Sequence, residues 1–156
     1  MTEDARFEDG RERPLNLGVV DAEDLGVVSA LCQDAVFPIT EMSWSSRRGE
    51  FALLLNRFRW EDEGRARHAP ERVQSVLAFY GVTAVSSQGV DRAEADMVLS
   101  LLSITWTAQD ETGGEIVLEL AGDGAIKLTI EALDVRLKDV TRPYVAPSNS
   151  APSHPE

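Results

Sequence analysis

Apolar residues alternate with polar ones over most of the chain, but one early stretch repeats at three- and four-residue spacing instead. Leu15 to Val20 predicts a short opening strand, after which Asp21 supplies an N-cap with an acid, Asp24, three residues on. A helix of about three turns is expected next, because Leu25, Val28, Cys32 and Val36 fall on one stripe and Pro38 lies just past its end.

Beyond Pro38 the period shortens to that of strands. Met42 to Ser46 predicts a short strand, Arg47-Arg48-Gly49-Glu50 a turn, and Phe51 to Trp60 a central strand, since both of its alternating faces carry apolar residues. Glu61 to Pro70 reads as a charged loop and Val73 to Val85 as β-rich. Asp91 to Glu94 reads as a helical turn that runs through Ala95 and Met97 into the alternating stretch ending at Trp106.

Two hairpins are expected, at Thr112-Gly113-Gly114 and at Gly122-Asp123-Gly124, where glycine permits the positive φ of tight turns. The apolar phase shifts from even to odd positions at Leu133, Val135 and Leu137. A strand bulged near Ala132 and a short helix over 131–140 fit equally, because Ile130, Leu133, Leu137 and Val140 also match helical spacing. The sum is an α+β fold: a curled, mostly antiparallel sheet, or a small, partly open barrel of the pleckstrin-homology type, with one early helix and no fixed strand order.

Composition sharpens this picture. Residues 1–14 and 146–156 lack periodicity, and the second is rich in Pro and Ser, so both read as disordered tails around a single domain spanning 15–145. At 156 residues and 43% hydrophobic, the chain can bury a core without disulfide or metal. The net charge of −12 belongs to the domain, since the first tail carries five acids against three Arg and the second only Glu156. That sign disfavours nucleic acid and anionic membrane as partners. A single cysteine, an N-terminus with neither basic start nor apolar stretch, and no run of membrane-spanning length lead us to expect a cytoplasmic protein.

The search for reactive groups gives little. One Cys and two His cannot make a usual zinc site, and His68 sits beside Arg65 and Arg67 in a loop, so neither a metal nor a cofactor is expected. Gly122-Asp123-Gly124 lacks the third glycine and following helix of a dinucleotide fingerprint, and no Gly-Lys-Ser/Thr sequence occurs. Cys32 lies on the apolar stripe of the helix, where a core thiol is the default. Asp34 and Glu41 flank the end of the helix as a carboxylate pair, a pattern that a solvated rim explains as well. No catalytic residue is assigned, and an enzyme is disfavoured.

The most informative segment is Asn56-Arg57-Phe58-Arg59-Trp60-Glu61. On an alternating strand Asn56, Phe58 and Trp60 share one face and Arg57 and Arg59 the other, placing an amide beside two aromatics. One reading is a pocket or partner surface with Asn56, Arg57, Trp60 and Glu61 as ligand-binding residues. The other, favoured because buried polar groups are usually satisfied within the fold, is a core strand whose Asn56 caps a neighbouring backbone group. Arg57, Arg59, Arg65, Arg67 and Arg72 gather around the charged loop, interspersed with acids, and read as a salt-bridged, solvated set rather than an anion site.

Several stretches carry a family resemblance: Asp21-Ala22-Glu23-Asp24-Leu25 with Leu31 to Val36, Phe51-Ala52-Leu53 with Asn56-Arg57-Phe58 and Trp60-Glu61, and Leu99 to Ile104. They resemble an uncharacterised alphaproteobacterial family known as domain of unknown function 2948, over roughly Leu15 to Val140. The resemblance implies a bacterial cytoplasmic protein and carries no activity or catalytic residues.

Two functions compete on these grounds. The first is a non-catalytic cytoplasmic binding or adaptor protein, working through protein–protein contacts or self-association at an exposed sheet surface or strand edge. The second is a small-ligand-binding protein or enzyme with a cleft near the Asn56 to Glu61 strand. The first is the expectation.

Overall fold

The computed structural model describes residues 14–59, 71–91, 93–141 and 144–145, the last two as backbone. The expected tails, Pro14 excepted, and the whole charged loop Glu61 to Pro70 lie outside these residues.

The chain begins with β1 (Asn16–Val19) and α1 (Ala22–Leu31). Asp21 caps the helix as expected: its backbone is extended, and its Oδ1 accepts from the Asp24 N–H at 2.8 Å. The buried stripe consists of Leu25 and Val28, with Cys32 at the C-cap. Val36 is not on the helix. Asp34 takes a left-handed φ of 65°, its N–H donates to Leu101 O at 2.8 Å, and the chain enters the strand β2 (Val36–Pro38). Backbone pairing to the sheet thus overrides a helical spacing that β-branched Val36 continues only by coincidence.

A single 3₁₀ turn (Ile39–Glu41) leads into β3 (Met42–Ser45), and a turn through Gly49, with φ 67°, opens β4 (Glu50–Phe58). Next come β5 (Glu71–Phe79), β6 (Val82–Gln88), β7 (Val98–Ala108), β8 (Gly114–Leu120), β9 (Ala125–Ile130), β10 (Val135–Asp139) and β11 (Tyr144–Val145). The expected helical turn at Asp91 consists of tight turns: Asp91 Oδ1 accepts from Ala93 N, and Asp91 O from Glu94 N, both at 3.0 Å.

All strand pairs are antiparallel, in the order β1-β10-β5-β4-β2-β7-β8-β9-β6, with β3 also on β4 and β11 also on β5. The path does not close. It curls because two strand courses turn one corner together. On one side of the corner Phe79 faces Val135, and on the other Val82 faces Ile130. The corner is stitched by Glu131 N donating to Gly81 O at 2.9 Å and Tyr80 N to Asp134 O at 3.0 Å. Gly81 takes φ 67°, a conformation that favours glycine. This corner accounts for the phase change at Leu133, and residues 135–139 are strand, with Val135, Leu137 and Asp139 inward.

The core lies inside the curl. Phe51, Leu53 and Leu55 of β4 meet Leu77 and Phe79 of β5, with Ile116 and Leu118 of β8 and Ile126 and Leu128 of β9 completing it. α1 lies against β7, where Ser29 Oγ accepts from Ile104 N at 2.9 Å beside a register slip between Leu101 and Ser103.

The two hairpins differ in what glycine does. At β8–β9, Gly122 (φ 82°) and Asp123 (φ 70°) have the expected positive φ. At β7–β8, Gly113 and Gly114 do not. Glycine is needed at 114 for space, because a Cβ there would collide with Thr107 O and lie 2.9 Å from Trp106 Cη2.

Candidate functional site

The segment singled out in the sequence splits across β4. Arg57 points inward, fully buried at 0% exposure, and its charge is met by Asp139, itself 6% exposed. Arg57 Nη2 donates to Asp139 Oδ1 and Oδ2 at 3.0 and 3.2 Å, Nε to Ser75 Oγ at 3.0 Å and Nη1 to Phe58 O at 3.1 Å. Ser75 Oγ donates to Asp139 Oδ1 at 2.6 Å, and Leu15 N donates to Asp139 Oδ2 at 2.9 Å. Each partner is satisfied by several bonds, the condition under which a buried ion pair is tolerated. Through these bonds the cluster ties the chain entering β1 to β4, β5 and β10.

Asn56 lies on the opposite face, half-buried. Its Oδ1 accepts from Arg72 Nη1 at 3.1 Å. The Arg72 guanidinium sits 3.8 Å from the centre of the Phe58 ring. Arg59, expected in a solvated set, is buried and donates to Glu71 Oε1 at 2.6 Å. Trp60, Glu61, Arg65, Arg67 and His68 lie outside the described residues.

On that outer face Asn56 borders a groove of about 290 Å³ with Val36, Pro38, Leu54 and Val98, rimmed by Glu41 and Gln74. Glu41 reaches it but Asp34 does not. A second, more acidic cleft of about 310 Å³ lies between the start of α1 and the β7–β8 turn, lined by Val20, Asp21, Trp106, Asp110, Glu111 and Leu133. Two backbone N–H groups, Gly113 at 2.6 Å and Thr112 at 3.0 Å, donate to Asp110 Oδ1 and hold its carboxyl below the usual aspartate range.

A third feature had no signal in the sequence because it depends on strand order. The sheet path ends at β6, which pairs with β9 on one side only. Across from it runs the outer edge of β3, and between them lies a seam of about 90 Å³ lined by Met42, Trp44, Phe51, Val85, Val90 and Ile126. The corner joins the two edges at one point, where Val82 N donates to Gly49 O at 2.9 Å. Past Val82, no backbone bond on the outer edge of β6 is found among the described residues. Neither β3 (Met-Ser-Trp-Ser) nor β6 (Val-Thr-Ala-Val-Ser-Ser-Gln) carries a charge or a proline.

Fold and surfaces together define an α+β protein built on an open, curled antiparallel sheet, with an uncharged edge at β6 that no further strand pairs among the described residues; no described helix is long and apolar enough to cross a membrane. The family model "Protein of unknown function (DUF2948)" matches residues 15–154, and the chain belongs to that family. No curated protein and no solved structure matches it.

Proposed function

We propose that the protein is a non-catalytic binding module of the bacterial cytoplasm that takes an extended polypeptide segment as an added strand on β6. The observation that carries this reading is the end of the sheet path at β6, whose outer N–H and C=O groups past Val82 have no partner among the described residues. Such an edge is a template for another chain, and folded proteins usually blunt it with charge, proline or a cover. This edge has neither charge nor proline, although 27% of the sequence is charged. The seam adds side-chain recognition, since Met42, Trp44, Val85 and Val90 stand half-buried beside the edge. Small curled sheets of the pleckstrin-homology type supply an analogy for a binding role at a sheet opening.

The test is selection of binders from a displayed library of random peptides, followed by binding to Ala84→Lys. Selected peptides with alternating apolar residues that lose affinity for Ala84→Lys support strand addition. Binders indifferent to that substitution overturn it.

A second reading rests on the groove beside Asn56, whose apolar walls and polar rim of Glu41, Asn56 and Gln74 suit a small, partly apolar ligand. A thermal shift with a metabolite, abolished by Asn56→Ala, tests it.

A further inference from the structure

We infer that the strand added to β6 is β6 of a second copy of this chain, paired antiparallel about a two-fold axis at Ser86; this inference rests on the strand-addition reading above. The register of the sheet locates the axis. β6 is irregular between Val82 and Ala84, so its regular part runs from Ala84 to Gln88, with Ser86 at the centre. A two-fold at Ser86 sets Ser86 opposite itself, Val85 opposite Ser87 and Ala84 opposite Gln88.

An isologous pairing doubles every residue at the axis, so any charge there would face its own copy. In a chain of net charge −12 this is the decisive constraint, and β6 meets it. The adjoining rows meet it as well. On the solvent face Ser86 adjoins Lys127 of β9, which is itself paired with Glu115 at 3.5 Å. Ala84 adjoins Thr129, and Gln88 adjoins Ala125. The two Lys127 side chains are therefore separated by both β6 strands, about 14 Å at the usual strand spacing and beyond the reach of unscreened repulsion in physiological salt.

The inward row supplies the apolar complement. Val85, half-buried, adjoins buried Leu128, and exposed Ser87 adjoins buried Ile126. In the pair Ser87 of each copy lies against Val85 of the other. Because the contact is self-complementary it closes at two copies and uses the β6 edge of both.

The experiment is native mass spectrometry and light scattering on the full chain across a concentration series, with Ser86→Lys and Ser86→Thr. A dimer is expected. Ser86→Lys places two ammonium groups face to face and should weaken the dimer about tenfold or more, whereas Ser86→Thr leaves it intact. Hydrogen exchange on the unmodified protein provides a readout free of mutation: the amides of Ala84 to Gln88 should gain protection as concentration rises. A monomer throughout, a dimer indifferent to Ser86→Lys, or protection independent of concentration overturns the inference. A monomer that still selects strand-forming peptides sensitive to Ala84→Lys overturns self-pairing alone and leaves strand addition standing.

Discussion

Arg57 and Asp139, 82 residues apart in the chain, meet in the interior with Arg57 Nη2 3.0 Å from Asp139 Oδ1. Asp139 also accepts from Ser75 and from the Leu15 N–H, so the pair ties the first strand to the tenth and both to the sheet centre. Removing one partner strands the other charge in the core. Arg57→Met and Asp139→Leu are each expected to cost about 3–5 kcal/mol, and the double variant much less than their sum. Urea denaturation of the four proteins measures this coupling, and additive costs would contradict it.

Gly114 and Gly122 separate two reasons for glycine. Nothing lies within 4 Å of a Cβ at Gly122, where the constraint is φ 82°, whereas a Cβ at Gly114 collides with Thr107 O. Gly122→Asn should therefore cost little, since Asn tolerates the left-handed region, while Gly114→Ala should cost about 1–3 kcal/mol by overpacking the hairpin against Trp106. Thermal melts of both variants check the contrast, and equal losses would refute it.

How much of this was legible in the sequence follows from where each signal resides. The Asp21 cap, the Gly122 turn and the central β4 strand are set by neighbours in the chain, and they appear as expected. The helix was overextended to Val36 because helical spacing continued past Asp34, where pairing with Leu101 takes over. The corner at Gly81 falls inside one β-rich run, Val73 to Val85, where a single glycine marks it. On β4 the alternation separated Asn56 from Arg57 correctly, but the inward guanidinium reads as a surface residue until Ser75 and Asp139 are brought to it. The open edge of β6 emerges only once β9 is known to be its one strand partner among the described residues.

Ser29 is a helix side chain bonded to a strand backbone. Its Oγ accepts from Ile104 N at 2.9 Å beside the slip in β7, where the β7–β8 register skips Leu102. Ser29→Ala leaves that N–H without its partner and should cost about 1–3 kcal/mol, with faster exchange of the Ile104 amide. An unchanged exchange rate would show that another acceptor takes over.

Asp110 supplies a pH dependence whose sign is fixed by its bonds. The Gly113 and Thr112 N–H groups favour its ionised form, so its folded pKa lies below the unfolded value of 3.8. The resulting stabilisation of the β7–β8 turn is fully present above the unfolded value and is lost as pH falls through the folded one. The side chain is solvent-exposed, so the effect should be local: amide exchange at Thr112 and Gly113 accelerates in acid while the fold persists. An NMR titration of the Asp110 carboxyl gives the midpoint directly. A midpoint at or above the ordinary aspartate value would mean that the two N–H bonds do not hold in solution.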